Sequence, residues 1–155
     1  DRMRREYGVA ASVGKPQVVF RETVLGEATA TATFDRELRE QKIFGEAIEH
    51  LSKAIRLDND RKATLYAHFY LGLVYLEREM YEDAQTFFQK TLALGPNLIE
   101  AHYELGRAHW FNAEHDEAKR AWAAGFAANK FNPWGKKCAE TLKLVEAGGE
   151  PPRTL

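Results

Sequence analysis

The stretch that decides the fold is YAHFYLGLVY at residues 66–75, because it returns as EAHYELGRAH at residues 100–109. A second pair has the same offset: YEDA at 81–84 corresponds to HDEA at 115–118. Within both units apolar residues recur at spacings of three and four, which is typical of amphipathic helices. A helix-turn-helix unit repeated with a period of about 34 residues buries its apolar stripe against copies of itself, so the pattern predicts a mainly α solenoid.

The order of small and large residues in these units resembles the tetratricopeptide repeat (TPR) family. That family has a large residue, Leu-Gly and Tyr in its first helix, followed by Ala, an aromatic residue, Ala and Pro. The unit at 65–98 supplies Leu71, Gly72, Tyr75, Ala84, Phe88 and Pro96. The unit at 99–132 supplies Leu105, Gly106, Ala118 and Trp122, but it has His109 for the Tyr, Gly125 for the later Ala and a delayed Pro133.

The pattern predicts helices near 65–78, 81–94, 99–112, 115–128 and 134–146. A half repeat is predicted at 45–60, and a capping helix at 133–147 begins with an Asn132 cap and a proline in the first helical position. Residues 148–155, with two glycines and two prolines, are expected to form a flexible tail.

The region before residue 45 has a different character. Residues 17–24 and 28–33 suggest two short strands of a β-hairpin, and a short helix is predicted at 35–41. DRMRREYGV at 1–9 and VGKPQVVFRET at 13–23 resemble bacterial translation elongation factor G, where this passage links the third and fourth domains. We assign residues 1–44 to this elongation-factor-G-like fragment. The resemblance implies contact with the ribosome, but the sequence has no Gly-x-x-x-x-Gly-Lys-Ser/Thr motif, so GTP hydrolysis is not implied.

Composition narrows the class of partner. The chain has 22 Lys and Arg against 23 Asp and Glu, so its net charge gives no reason to expect nucleic acid or an acidic membrane surface. No apolar run approaches the roughly 20 residues of a membrane span. Cys138 is the only cysteine, which excludes an intramolecular disulfide. We expect a cytoplasmic protein.

No constellation of residues favours catalysis, a metal or a cofactor. Cys138 lies on the predicted apolar face of the last helix, where a thiol is usually inert. His68 and His102 occupy equivalent repeat positions, which favours packing. His109 lies two turns from His102, which is too far for the two side chains to bind one metal ion. The sequence therefore predicts a protein that is not an enzyme.

The TPR resemblance implies a concave groove lined by the first helix of each unit. The groove positions are Tyr66, Phe69, Leu73 and Leu76 in one unit and Glu100, Tyr103, Arg107 and Trp110 in the next. The residues predicted to bind a partner are Tyr66, Phe69, Tyr70, Leu73, Tyr103, Arg107 and Trp110. Aromatic side chains and Arg are typical of binding hot spots, so we expect Trp110 to be an open anchor and Trp122 to be packed.

Two alternatives remain for this groove. It binds an apolar or aromatic peptide or helix of another protein, or the N-terminal part of the chain itself covers it. The groove lacks the Lys and Asn with which some TPR proteins grip a C-terminal carboxylate. The apolar edge of the half repeat, which includes Ile43, Phe44, Ile48 and Leu51, is expected to be covered by residues 1–44 or by a second copy in a homo-oligomer.

Overall fold

The computed structural model describes residues 22–57 and 60–153 of the 155-residue chain. These described residues form six helices in succession: α1 Glu22–Leu57, α2 Arg61–Glu77, α3 Tyr81–Leu94, α4 Ile99–Phe111, α5 His115–Ala128 and α6 Pro133–Glu146. From α2 onward each helix packs on the next, and α4 also contacts α2 and α6. The described residues contain no strand. The predicted mainly α solenoid is therefore confirmed, and α2 to α6 correspond to the five predicted helices.

The chain divides into two compact units, Asp1–Glu46 and Ala47–Leu155. The sequence predicts a domain boundary between residues 44 and 45. The two complete repeats, the capping helix and the tail belong to the second unit, whereas α1 and the half repeat predicted at 45–60 are divided between the two units.

The predicted β-hairpin is wrong for residues 22–24 and 28–33, because both stretches lie in the 36-residue helix α1. In residues 28–33 the apolar residue that alternates with Thr is Ala, which has the highest helix propensity and offers little side chain to a sheet face. Residues 17–21 of the hairpin lie outside the described residues. The separate helix predicted at 35–41 is part of α1, which also continues through Gly45.

The turns inside the two repeats have the same backbone. The α2–α3 turn has Glu79 at φ 61°, and the α4–α5 turn has Ala113, at the equivalent position of the next repeat, at φ 63°. In each turn the N–H of the next residue returns to a carbonyl of the first helix: Met80 to Tyr75 at 2.9 Å, and Glu114 to His109 at 2.9 Å. The repeat found in the sequence is therefore a repeat of backbone conformation.

Close helix approach explains the small residues of each repeat. A Cβ added at Gly72 would overlap the ring of Phe88, and one added at Gly106 would overlap the indole of Trp122. Trp122 is fully buried and its Nε1 donates to the Tyr103 carbonyl at 3.1 Å. Glycine in the first helix thus makes the space that the aromatic residue of the second helix fills.

The capping helix α6 begins as predicted. Asn132 accepts a hydrogen bond from the Trp134 N–H at 2.8 Å, and Pro133 is the first helical residue. A Cβ at Gly125 would lie 2.6 Å from Cys138 Sγ. Glycine replaces the family's alanine here because α6 approaches α5 too closely for a side chain. No helix among residues 22–57 and 60–153 has the length and apolar character that crossing a bilayer requires.

Candidate functional site

The predicted groove residues fall into two groups in the structure. On α2, Tyr70 is 49% exposed, while Tyr66 and Leu73 are half-buried. Phe69 is buried, and its ring lies 5.8 Å from that of Phe88 in the core. On α4, Tyr103, Arg107 and Trp110 are all buried. Of the seven residues predicted to bind a partner, those with side chains at the surface of the described structure are therefore Tyr66, Tyr70 and Leu73.

Tyr103 is covered by the capping helix. Its ring lies 5.5 Å from the Trp134 ring, and the Lys137 ammonium is 5.2 Å from its centroid. Burial raises the pKa of the Tyr103 hydroxyl, and the nearby charge of Arg107 opposes this rise. Tyr103 therefore joins α4 to α6.

Arg107 is covered by the chain segment that follows α6. We call residues 150–153, with the sequence EPPR, the return segment. Arg107 Nε donates to the Pro152 carbonyl at 2.9 Å, and Nη2 donates to the Arg153 carbonyl at 2.6 Å. Only 2% of Arg107 remains exposed. The side chain predicted to bind a partner thus holds two successive carbonyls of its own chain.

Glu104 fixes the orientation of Arg107 from one turn earlier. Its Oε1 accepts from Arg107 Nη1 at 2.6 Å, and the carboxylate is fully buried. Burial raises the pKa of the Glu104 carboxyl, and the charge of Arg107 opposes that rise. Among the described residues, Glu104 Oε2 is the buried side-chain oxygen without a hydrogen-bond partner. The ion pair with Glu104 therefore holds the Arg107 guanidinium in the orientation in which it contacts the return segment.

Trp110 is not the open anchor expected from the sequence, because it is only 9% exposed. Its ring stacks on His115 with centroids 3.8 Å apart, and it lies 6.0 Å from the Trp122 ring. Its Nε1 donates to Glu150 Oε1 of the return segment at 3.2 Å. Trp110 is buried because the helix face that carries it is covered from both sides, by α5 and by the return segment.

The return segment ends beside a small pocket. The Arg153 guanidinium lies 4.4 Å from the centroid of the Phe111 ring. A pocket of about 240 Å³ opens there between the ends of α2 and α4. It is lined by Leu76, Glu77, Glu79, Tyr81, Phe111 and Arg153. The pocket thus has two acidic residues in its lining, together with the aromatic ring on which Arg153 lies.

The single thiol of the chain, Cys138, lies in an environment that opposes reaction. Cys138 is fully buried, and this burial, with the charge of Glu104, raises the pKa of its thiol to about 12. His68 Nδ1 is bonded to the Thr64 carbonyl oxygen at 2.9 Å within α2, and burial lowers the pKa of His102. The described residues hold no group of three metal-ligating side chains.

Reasoning from the sequence missed Glu104 and the return segment. The sequence predicts a flexible tail from residue 148, whereas Pro151 is buried and residues 150, 152 and 153 bond to α4. One signal was present: Glu104 stands three residues before Arg107, a spacing that pairs opposite charges on a helix. Nothing in the sequence places EPPR opposite that pair.

Residues 65–98 match the family model of the tetratricopeptide repeat. The matched range is one complete helix-turn-helix unit, from within α2 to the loop after α3. TPRs are generally protein-interaction repeats without catalytic activity. The match confirms the TPR resemblance for this unit, and the equal turn geometry extends the same architecture to α4 and α5.

A second similarity concerns a different protein. The chain is 44% identical over 48 residues to elongation factor G of Aquifex pyrophilus. This alignment covers 31% of the chain and 7% of that factor's length. This short alignment supports the resemblance to elongation factor G in part.

Proposed function

We propose that this protein is an interaction scaffold whose TPR groove binds a peptide or helix of another protein. One observation carries the proposal: Arg107 donates two hydrogen bonds to successive main-chain carbonyls, at 2.9 and 2.6 Å. Hydrogen bonds to main-chain carbonyls are one way in which a protein recognises an extended peptide. A groove that forms such bonds with its own chain has the donors that a foreign peptide needs.

The face of α2 supplies the accessible part of this groove. Tyr66 and Tyr70 stack with ring centroids 6.2 Å apart, and Leu73 lies one turn further along. Rigid aromatic rings give a large contact area at a small entropy cost, and such residues dominate the energy of many interfaces. Leu73 and the two tyrosines are therefore the proposed first contacts, while Tyr103, Arg107 and Trp110 form the second part of the site and Phe69 supports it from the core.

A displayed library of random peptides, panned against the intact chain, tests the proposal. Selected peptides should bind the Tyr66→Ala/Tyr70→Ala variant at least about tenfold more weakly than wild type, as measured by fluorescence anisotropy, since hot-spot aromatics contribute about 2 kcal/mol or more. The matched control is Phe126→Ala/Phe131→Ala, which removes two exposed aromatic rings outside the groove. Equal weakening by both variants, or by neither, contradicts groove binding.

The elongation factor similarity favours a second candidate function, contact with the ribosome through residues 1–44 and without GTPase activity. The supporting observation is the 44% identity over 48 residues. The intact chain should then pellet with ribosomes through a sucrose cushion. Reversing two charges in the full chain, Arg4→Glu and Arg5→Glu, should reduce this pelleting, because RNA contacts depend on basic side chains. Absence of ribosome-dependent pelleting would exclude this function.

A further inference from the structure

The return segment occupies the α4 part of the groove as a ligand would. The Glu150 carboxylate accepts a hydrogen bond from α4, and so do the main-chain carbonyls of Pro152 and Arg153. The Arg153 guanidinium also lies over the Phe111 ring. Pro151 is buried between them. Three of the four residues therefore make a defined contact with α4, and the fourth, Pro151, is buried.

The backbone contacts fix position without selecting sequence. Arg107 is preset by Glu104 and directs its remaining N–H groups at successive carbonyls. Such charge-assisted bonds are stronger than neutral ones. The two prolines suit this mode because a polyproline chain has little conformational entropy to lose and its carbonyls stay free.

The charged ends of the segment supply selectivity. The first residue accepts from the Trp110 indole, which can only donate, so an acidic side chain suits that position. The fourth residue lies over Phe111, in a pocket that Glu77 and Glu79 also line. A cation over an aromatic ring is electrostatically favourable, and the two acidic residues that line the same pocket favour a basic side chain there.

From these contacts we propose that the α4 part of the groove recognises peptides of the pattern acidic–Pro–Pro–basic in a partner protein, and that the return segment is their internal competitor. This rests on the proposed function and names its ligand class. Only three residues separate the end of α6 from Glu150, so the internal copy acts at an effective concentration in the millimolar range. A partner peptide binds when the return segment is displaced.

The test uses a fluorescein-labelled synthetic peptide, GEPPRTL, which is the sequence of residues 149–155, and the full-length chain. The variant Pro151→Gly/Pro152→Gly loosens the return segment by removing its buried ring and its restricted backbone. We expect the peptide to bind this variant at least about tenfold more tightly than it binds wild type, because the internal competitor is weakened. Glu150→Gln should shift affinity in the same direction by a smaller factor, and circular dichroism should show unchanged helix content in both variants.

The matched control peptide, GRPPETL, has the same composition with the two charges exchanged. It should bind the opened variant at least about tenfold more weakly than GEPPRTL. The proposal is overturned if GEPPRTL and GRPPETL bind the opened variant with equal affinity, or if GEPPRTL binds wild type and the opened variant with equal affinity. It is also overturned if GEPPRTL binds neither chain. If sedimentation shows a dimer that added GEPPRTL dissociates, the site binds a second copy of the chain. This result would also overturn the proposal. If GEPPRTL fails while library peptides still depend on Tyr66 and Tyr70, the proposed function stands without this ligand class.

Discussion

At the residue scale, Arg107 and Glu104 illustrate how a binding group is prepared. Burying a guanidinium is unfavourable unless its N–H groups find acceptors. Here Glu104 takes one of them at 2.6 Å, and two carbonyls of the return segment take others. The buried guanidinium of Arg107 is thus stabilised by acceptors on both sides, and in the function that we propose a partner peptide supplies the carbonyls in place of the return segment.

The two neighbouring tryptophans provide a test at this scale. Trp110→Ala and Trp122→Ala should each lower the free energy of unfolding by about 3–5 kcal/mol, because both rings are buried. Urea denaturation followed by circular dichroism measures this. The control is Phe131→Ala, since that ring is 77% exposed and its loss should change stability by less than about 0.5 kcal/mol. A Trp110→Ala protein as stable as this control would show that Trp110 lies in an open groove.

At the element scale, helix spacing is set by glycines and the aromatic residues opposite them. Gly72 faces Phe88, and Gly106 faces Trp122 in the same relation one repeat later. The α3–α4 joint is fixed by Gln85, which donates to the Ala108 carbonyl at 3.3 Å and to Glu114 at 2.9 Å. Packing and one bridging amide thus determine how one repeat stacks on the next.

Gly106→Ala should lower the free energy of unfolding by about 1–3 kcal/mol, because its Cβ would overlap the indole of Trp122 and force the helices apart. Gly45→Ala is the matched control. A Cβ at that position, in the middle of α1, meets nothing within 4 Å, so this change should raise helix content and add up to about 1 kcal/mol to helix stability. Thermal unfolding followed by circular dichroism compares the two. Equal responses to both changes would contradict the close approach of α4 and α5.

At the scale of the whole molecule, two weakly acidic groups are buried: the Tyr103 hydroxyl of α4 and the Cys138 thiol of α6. Burial raises the pKa of Cys138 to about 12 and also raises the pKa of Tyr103. The folded protein keeps protons that the unfolded chain releases, so their contribution to stability is complete below pH 9 and is lost as pH rises toward 12. The protein is therefore expected to be alkali-sensitive.

The free energy of unfolding should fall between pH 9 and pH 10.5, with Cys138 contributing at most about 1.4 kcal/mol per pH unit. Urea titrations at several pH values measure the slope. Cys138→Ala lowers stability at every pH because it leaves a cavity, but its slope should be shallower than that of wild type. An identical slope in both proteins would mean that the Cys138 thiol is not held protonated by the fold.

The sequence by itself determined α2 to α6, the turns within the two repeats and the contacts of their small residues. The repeat period brings Leu-Gly and a later Ala and aromatic residue together through local spacing alone, so α2 to α6 could be placed to within a few residues. Local propensity was a poor guide before residue 45. The alternation of Ala and Thr there is typical of a strand, but these residues lie in the 36-residue helix α1. Short-range patterns predict these elements because their hydrogen bonds and apolar faces repeat along the chain.

Only the tertiary structure decided which groove residues are accessible. The spacing of Tyr103, Arg107 and Trp110 is that of an open binding face. In the structure they are covered by His115 of α5, by Trp134 and by the return segment, and the last two lie well beyond α4 in the chain. No periodicity relates EPPR to Arg107, since their contact depends on the direction in which α6 ends and on carbonyl groups that every residue carries. The chemistry of the site was thus present in the sequence, whereas its occupancy follows from how the chain returns to α4.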